Sequence, residues 1–231
     1  MNKLKLIYGN MRALCEAPQM MMRYSNIEYS YKMVWDHFGK NWVDIKKEII
    51  FNRLPILIIN EKEYLWQSNS ITRYIAKISK TIPEDNYLSS YADAVFESTH
   101  EMFYPLNPTV NIFIAEKFKE NKEKLLKQIL PNTLDNFEKL QKKHSGDFFL
   151  GIKPYYCDFN AFHHFSLIKL LDNNIIEDYP LIKNFMNAFE NLNGIKNYLL
   201  ERPKLVNIGI APKFIINNKE FPTGLNPNKN L

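Results

Sequence analysis

The sequence predicts an α/β domain over residues 1–80, a linker at 81–86 and an all-α domain over 87–231. Three observations predict it. Short runs with strand character, Leu4 to Tyr8, Ile27 to Tyr31 and Ile56 to Ile59, alternate with helical patterns in the first third of the chain. The cluster Lys80-Thr81-Ile82-Pro83-Glu84-Asp85 interrupts that alternation. From Tyr87 to Leu200 the apolar spacing is helical.

Leu4-Lys5-Leu6-Ile7-Tyr8 reads as the first strand, broken by Gly9-Asn10. A helix follows from about Ala13 to Tyr24, with Leu14, Ala17 and Met21 inward and Pro18 expected to kink it. The Met20-Met21-Met22 run suits core filling, because an unbranched thioether adapts to irregular gaps. Ile27 to Tyr31 alternates as a second strand. A loop of large side chains from Val34 to Asn41 leads to Trp42, and a short helix or turn over Val43 to Ile49 returns the chain to Pro55. Ile56 to Ile59 is apolar and β-branched enough for a buried strand, and Tyr64-Leu65-Trp66 is its hairpin partner. A helix then opens at Ser68, a good N-cap, and carries Ile71, Tyr74, Ile75 and Ile78 on one stripe. A crossover unit followed by a hairpin is a βαβ-α-ββα layout of thioredoxin type.

Beyond the linker, Ala92 to Ile114 reads as one long apolar helix kinked by Pro105 and Pro108. Lys122 to Lys143 is amphipathic, Gly146 and Gly151 bracket a loop, Tyr156 to Leu171 is an apolar helix, and Leu181 to Leu200 gives two helices broken near Asn193-Gly194. The tail from Pro203 to Leu231 is punctuated by Pro203, Pro212, Pro222 and Pro227 and is expected to wrap the surface.

The composition narrows the function. The 231 residues carry 30 Lys and Arg against 25 Asp and Glu, a balance of +5, so the chain is mildly basic and not polycationic. Its richest basic stretch, Lys117 to Lys127, alternates with Glu116, Glu120 and Glu123 and reads as a solvated helix face, not a nucleic-acid surface. Cys15 and Cys157 stand far apart, which excludes a disulfide framework and fits a reducing compartment. His163-His164 has no ligand-type partner one turn on and reads as helix packing, so no metal is expected. There is no run of eighteen apolar residues, no signal sequence before the first strand and no lipidation signal at Asn230-Leu231. The expectation is a soluble cytoplasmic protein with no membrane or nucleic-acid partner.

Two stretches hold the candidate chemistry. Arg53-Leu54-Pro55 enters a buried strand through a proline, which belongs at a strand's first residue because it cannot donate to the ladder. A cis bond before it would turn the Leu54 backbone outward, to pair with an extended ligand as an added strand would. Gln67-Ser68 opens a helix, whose free N–H groups and positive end favour a carboxylate or phosphate.

This pairing of Leu-Pro with Gln-Ser-x-x-Ile-x-x-Tyr-Ile resembles the glutathione-binding half of a cytosolic glutathione transferase. Tyr8-Gly9-Asn10-Met11-Arg12 is similar to the start of the mu and sigma classes. Trp42 and Lys46 stand at the sigma-class distance before the Leu-Pro. Phe149-Leu150-Gly151, Asp158-Phe159 and Tyr179-Pro180-Leu181 match the helical domain, nearer to mu. The resemblance implies a tyrosine-type enzyme, with Tyr8 donating to the thiol of glutathione. Subfamilies using Ser or Cys place it where Met11-Arg12-Ala13 stand here, so Cys15 is assigned to packing. Gln67 and Ser68 would hold the γ-glutamyl carboxylate, Leu54 and Pro55 the cysteinyl part, and Trp42, Lys46 and Arg53 the glycyl end. Leu14 joins this set. Glu101 would reach in from the other subunit of a homodimer where the family has Asp, with Glu97 as its substitute, and Phe51 would insert into that subunit.

The second substrate, a hydrophobic electrophile, would meet Gly9, Leu14, Phe103, Leu106 and Asn107. Gly9 replaces a common aromatic and is expected to widen that pocket or loosen the loop. Tyr155 replaces the Ser or Thr of the cap before the Asp158 helix and leaves the reciprocal cap incomplete. Glutathione is a co-substrate, and no prosthetic group is implied. The alternatives are a non-catalytic ligand-binding or structural member of the fold, or a glutathione-dependent isomerase of prostaglandin type.

Overall fold

Strand β1 (Leu4–Tyr8) sends its side chains alternately into two cores. Leu4, Leu6 and Tyr8 join the large core with Met20, Ile71 and Phe159, while Ile7 joins a smaller one with Val34, Ile45, Ile56 and Ile58. The computed structural model describes residues 2–226. Met1, Pro227 and the terminal Asn230-Leu231, used above in the readings of the two ends, lie outside the described residues.

Helix α1 (Glu16–Tyr24) crosses over to β2 (Tyr29–Met33), which pairs parallel to β1. Short helices α2 (Val34–Phe38) and α3 (Trp42–Ile45) cover the smaller core. The hairpin β3 (Ile56–Ile59) and β4 (Glu63–Trp66) completes a sheet of order β2-β1-β3-β4, and α4 (Ser68–Ile78) follows. This is the thioredoxin-type layout expected. Two details differ. Residues 34–38, read as loop, are helical and stop at Gly39, whose φ of 65° ends the turn. Helix α1 starts at Glu16, so Pro18 falls in its first turn, where an N–H has no helical acceptor to lose.

The second domain packs α5 (Asn86–Glu101), α6 (Phe103–Asn111), α7 (Ala115–Lys124), α8 (Leu130–Gln141), α9 (Tyr156–Leu171), α10 (Pro180–Glu190) and α11 (Ile195–Glu201). The Asp85 carboxylate accepts from the Leu88 N–H at 2.8 Å and caps α5. The single helix expected over 92–114 is two, joined at Met102, with Pro105 in the first turn of α6. Helix α9 is apolar all round and is buried along nearly its whole length, the position such a helix must take. Its cap is closed, contrary to expectation: Tyr155 N–H donates to Asp158 Oδ2 at 2.8 Å, and Asp158 N–H returns to the Tyr155 carbonyl at 2.9 Å. A main-chain oxygen does the work of the missing hydroxyl.

The tail departs most from the sequence reading. Strands β5 (Lys204–Val206), β6 (Lys213–Ile216) and β7 (Lys219–Pro222) form a second antiparallel sheet in that order. Asn217 and Asn218, with φ of 50° and 62°, make a two-residue hairpin turn between β6 and β7.

An ion pair ties the two domains. Arg202 Nη1 donates to Glu16 Oε1 at 2.6 Å, with the two side chains 12% and 4% exposed. Removing one partner from such a pair strands a buried charge. Glu16→Ala is expected to cost about 3–5 kcal/mol in urea unfolding. The double variant Glu16→Ala with Arg202→Met should recover much of that loss; an unchanged midpoint in the single variant would contradict the tie.

Candidate active site

The strand register builds one end of the main sheet from four segments. Tyr8 pairs with Met33, Ile7 with Ile56, and Ile56 with Trp66. Continued by one residue, these ladders bring Tyr8, Pro55 and Gln67 side by side across β1, β3 and β4. With strands about 4.8 Å apart, the row spans roughly 10 Å, the length of about three extended residues.

Along that edge Tyr8 and Pro55 are buried and Gln67 is exposed. The Leu54–Pro55 peptide is cis, and Leu54 lies ahead of the ladder that starts at Ile56. Gln67 holds φ 67° and ψ 118°, a left-handed conformation that costs a non-glycine residue about 1–3 kcal/mol. Its carbonyl accepts the first helical bond, from Ile71 N–H at 2.9 Å. Gln67, not Ser68, is therefore the residue before the helix, and Ser68 is its first residue. The N–H groups of Ser68, Asn69 and Ser70 precede the first helical bond and are the free donors of this end.

Around this edge, Trp42 is half-buried against the smaller core. Lys46 and Arg53 are exposed and form no ion pair among the described residues. Glu101 ends α5, exposed. Glu97, one turn earlier, is the acid that meets the helix mouth in its own chain: both carboxylate oxygens accept from Asn69 Nδ2 at 3.3 Å, and it pairs with Arg73. Phe51 is 60% exposed, with its ring edge-on to Trp66 at 6.3 Å.

The residues assigned to a second substrate are occupied by the chain itself. Leu106 and Asn107 are buried, and Phe103 stacks on His100 at 5.5 Å. Asn107 accepts from Asn111 Nδ2 through its carbonyl and through Oδ1, at 3.2 and 3.0 Å. The space that a side chain at Gly9 would take is filled by the tail. A Cβ there would stand 2.6 Å from the Gly224 carbonyl oxygen and would strike Leu225. Nothing local marks these tail residues in the sequence, because the prolines around them hide the strand alternation. A cavity of about 900 Å³ does open beside Gly9 to Arg12, between β2, α1 and α11. None of Trp42, Lys46, Arg53, Leu54, Gln67 or Ser68 lines it, so it is not the sheet-edge groove.

Comparison with known proteins decides the family. The model for the glutathione S-transferase N-terminal domain matches residues 4–77, and that for the C-terminal domain matches residues 100–202. A glutathione S-transferase of Plasmodium falciparum (isolate 3D7) is 30% identical over 219 residues, covering 89% of this chain and 99% of the relative. The chain belongs to the glutathione S-transferase family. Glutathione S-transferase P of Caenorhabditis elegans is similar at 25% identity over 202 residues, 86% of this chain and 93% of that one. The Pi-class glutathione S-transferase structure of Onchocerca volvulus shares the fold with a TM-score of 0.76 at 24% identity, over 86% of this chain and 93% of that one.

The electrostatics of this transferase separate its tyrosine from its cysteine. Burial holds the Tyr8 hydroxyl well above the usual phenol range, and Cys15 adds to the shift; the Leu14 N–H, donating to the phenol oxygen, opposes it. Tyr8 is thus a neutral phenol at physiological pH, with a proton to donate. Burial, reinforced by the charge of Glu16, also keeps Cys15 protonated. Cys15 sits in the core, as the packing assignment requires.

His163 and His164 are buried, and no cluster of metal-ligand side chains occurs among the described residues. His164 Nδ1 lies 2.8 Å from the Asn160 carbonyl, while neither ring nitrogen of His163 has a protein partner. Burial, with Arg202 and Arg12 nearby, pushes His163 down to about 3. A depressed histidine contributes stability that is fully present above its unfolded value, near 6.5, and is lost as the pH falls toward 3. Stability of the wild type is expected to fall by up to about 1.4 kcal/mol per pH unit from this residue below pH 6.5. His163→Gln should flatten that slope in unfolding curves taken from pH 7 to 4; an equal slope would place the acid sensitivity elsewhere.

Proposed function

We propose that this transferase joins the thiolate of glutathione to hydrophobic electrophiles, with the Tyr8 hydroxyl as hydrogen-bond donor to the sulfur. The observation that carries this reading is the row of Tyr8, Pro55 and Gln67 at one sheet end, about as long as an extended tripeptide. A free thiol near pKa 8.5 is mostly protonated at neutral pH, and the thiolate is the nucleophile. A donor aimed at sulfur favours the anion, and each unit of lowering is worth about 1.4 kcal/mol. The neutral phenol of Tyr8 has the proton such a bond needs.

In this reading residues 1–80 bind glutathione. The γ-glutamyl carboxylate sits on the free N–H groups of α4 and on Gln67 and Ser68, where the helix dipole favours an anion. The cysteinyl part pairs with the Leu54 backbone beside Pro55, and Leu14 positions the phenol through its N–H. Trp42, Lys46 and Arg53 take the glycyl end; the exposure of both cations, free of ion pairs among the described residues, supports this. Of the residues of 87–231 assigned to the electrophile, Phe103 is the partly exposed one and takes that contact, while Leu106 and Asn107 pack behind it. The working form is a cytoplasmic homodimer in detoxification, with the exposed Phe51 inserted in the second subunit and Glu101 meeting its γ-glutamyl amine. No prosthetic group takes part.

Steady-state kinetics with a chromogenic aryl halide, together with glutathione affinity by calorimetry, test these roles. Tyr8→Phe is expected to lower kcat by about 10²-fold, the usual loss of one donor to a developing anion, with glutathione affinity nearly unchanged. Ser68→Ala is expected to weaken glutathione binding by about tenfold or more, with little effect on saturated turnover. Full activity in Tyr8→Phe, or full affinity in Ser68→Ala, would overturn the assignment of that residue.

A further inference from the structure

The loop that leaves β1 joins two partners of one hydrogen bond. Tyr8 stands before it and Leu14 closes it, and the Leu14 N–H donates to the Tyr8 oxygen. Residues 9–13 alone separate the two, so their path decides where that N–H stands against the phenol. The first of them is glycine, whose φ and ψ are the least restricted by its own sterics. The β1–β2 ladder ends at Tyr8, opposite Met33, and holds none of them.

Tyr31 supplies a hold beyond the ladder. It lies in β2 level with Leu6, and like Leu6 it packs against the large core. Its hydroxyl reaches past the end of the ladder and donates to the Gly9 carbonyl at 2.7 Å. The same carbonyl accepts the Met11 N–H at 3.0 Å, but that bond is internal to the loop and moves with it. The remaining holds come from the rest of the chain: Asn111 Nδ2 on the Arg12 carbonyl at 3.3 Å, Arg12 on the Pro203 carbonyl, and Gly224 paired with Asn10. Among the described residues, Tyr31 is the one side chain of the α/β domain that hydrogen-bonds to residues 9–13.

The titratable groups that face Tyr31 are Tyr8 in β1, Cys15 and Glu16 at the start of α1, and Tyr198 in α11. Glu16, the charged one, is paired with Arg202. Burial holds the Tyr31 hydroxyl well above the usual phenol range, so it stays a donor at neutral pH.

We propose that Tyr31 is the positioning residue for the Tyr8 hydroxyl: by holding the Gly9 carbonyl it sets the path of residues 9–13 and keeps the Leu14 N–H on the phenol oxygen. With that N–H on one side of the oxygen, the phenol's own proton is left to point at the sulfur. Tyr31 itself touches neither substrate and acts through Gly9. The inference rests on the glutathione-conjugating reading above and adds to it what aims the donor.

Tyr31→Phe removes the hydroxyl and keeps the ring in its packing. Thiolate absorbance of bound glutathione, followed as the pH is raised, and steady-state turnover of a chromogenic aryl halide test the role on the full-length protein. The thiol midpoint is expected to rise by about 0.7 of a pH unit from that of the wild type, the fivefold effect of about one neutral hydrogen bond. Turnover at pH 6.5 should fall by about fivefold and stay within about twofold of wild type at pH 9, where the thiol ionises in both proteins; glutathione affinity should change by less than about twofold. An unchanged midpoint, or an equal loss of turnover at both pH values, overturns the role of Tyr31 and leaves the conjugation reading standing. If the wild-type complex titrates like free glutathione, both fall. The double variant Tyr8→Phe with Tyr31→Phe gives a second measure. It should be within about twofold of Tyr8→Phe alone, because the group that Tyr31 acts through is gone. A further fivefold loss in the double variant contradicts the proposal.

Discussion

The antiparallel pairing of Ile7 with Ile56 is the contact from which the rest of the site follows. Side chains alternate along a strand, so a slip of one residue would turn Tyr8 from the large core to the small one and carry Pro55 past it. That register is secured on both faces: Leu6 and Leu57 lock into one core, and Ile7, Ile56 and Ile58 into the other. With β1 and β3 so fixed, the hairpin brings Trp66 level with Ile56, and Gln67 must follow at the same edge. The chain then turns through a strained Gln67 into α4, aiming the free N–H groups of a helix along the row that Tyr8 begins. Strain of this kind is tolerated where the surroundings over-determine the backbone.

The helical domain supplies support and cover in different ways. Its α9 is buried against α1, α5 and α6 and forms the common core on which the α/β domain rests. The buried pair Glu16–Arg202 joins the start of α1 to the end of α11, directly behind the loop that carries Gly9 to Arg12. That loop is held in three directions: by Tyr31, whose hydroxyl donates to Gly9 O at 2.7 Å, by Arg12 on Pro203, and by the tail on Asn10. Tyr8 thus sits, buried, beside a braced loop. A hydrogen-bond donor works best when it need not reorganise as charge develops.

Much of this was legible in the residues, for reasons that can be named. β-Branched runs, a proline at a strand start and a Gln-Ser helix opening are local signals, so the α/β layout and the members of the sheet edge could be read directly. Boundaries were less visible. Pro18 and Pro105 looked like kinks because sequence alone does not say how near a helix start they fall, and both sit in first turns. The Tyr155 cap looked broken because a main-chain carbonyl can replace a hydroxyl, and no side chain announces that. In the tail Phe214-Ile215-Ile216, Asn217-Asn218 and Lys219-Glu220-Phe221 spell a hairpin with a two-residue turn, but its prolines mask the alternation. A glycine such as Gly9 opens space that another part of the chain can fill, and the packing shows that Gly224 and Leu225 fill it.

The account stands on the phenol of Tyr8 holding sulfur as an anion. The most direct measurement is the ionisation of the glutathione thiol in its complex with the wild-type protein, followed by thiolate absorbance as the pH is raised. The account predicts a midpoint at least about one unit below the 8.5 of a free thiol. A bound thiol that titrates where the free one does would contradict it.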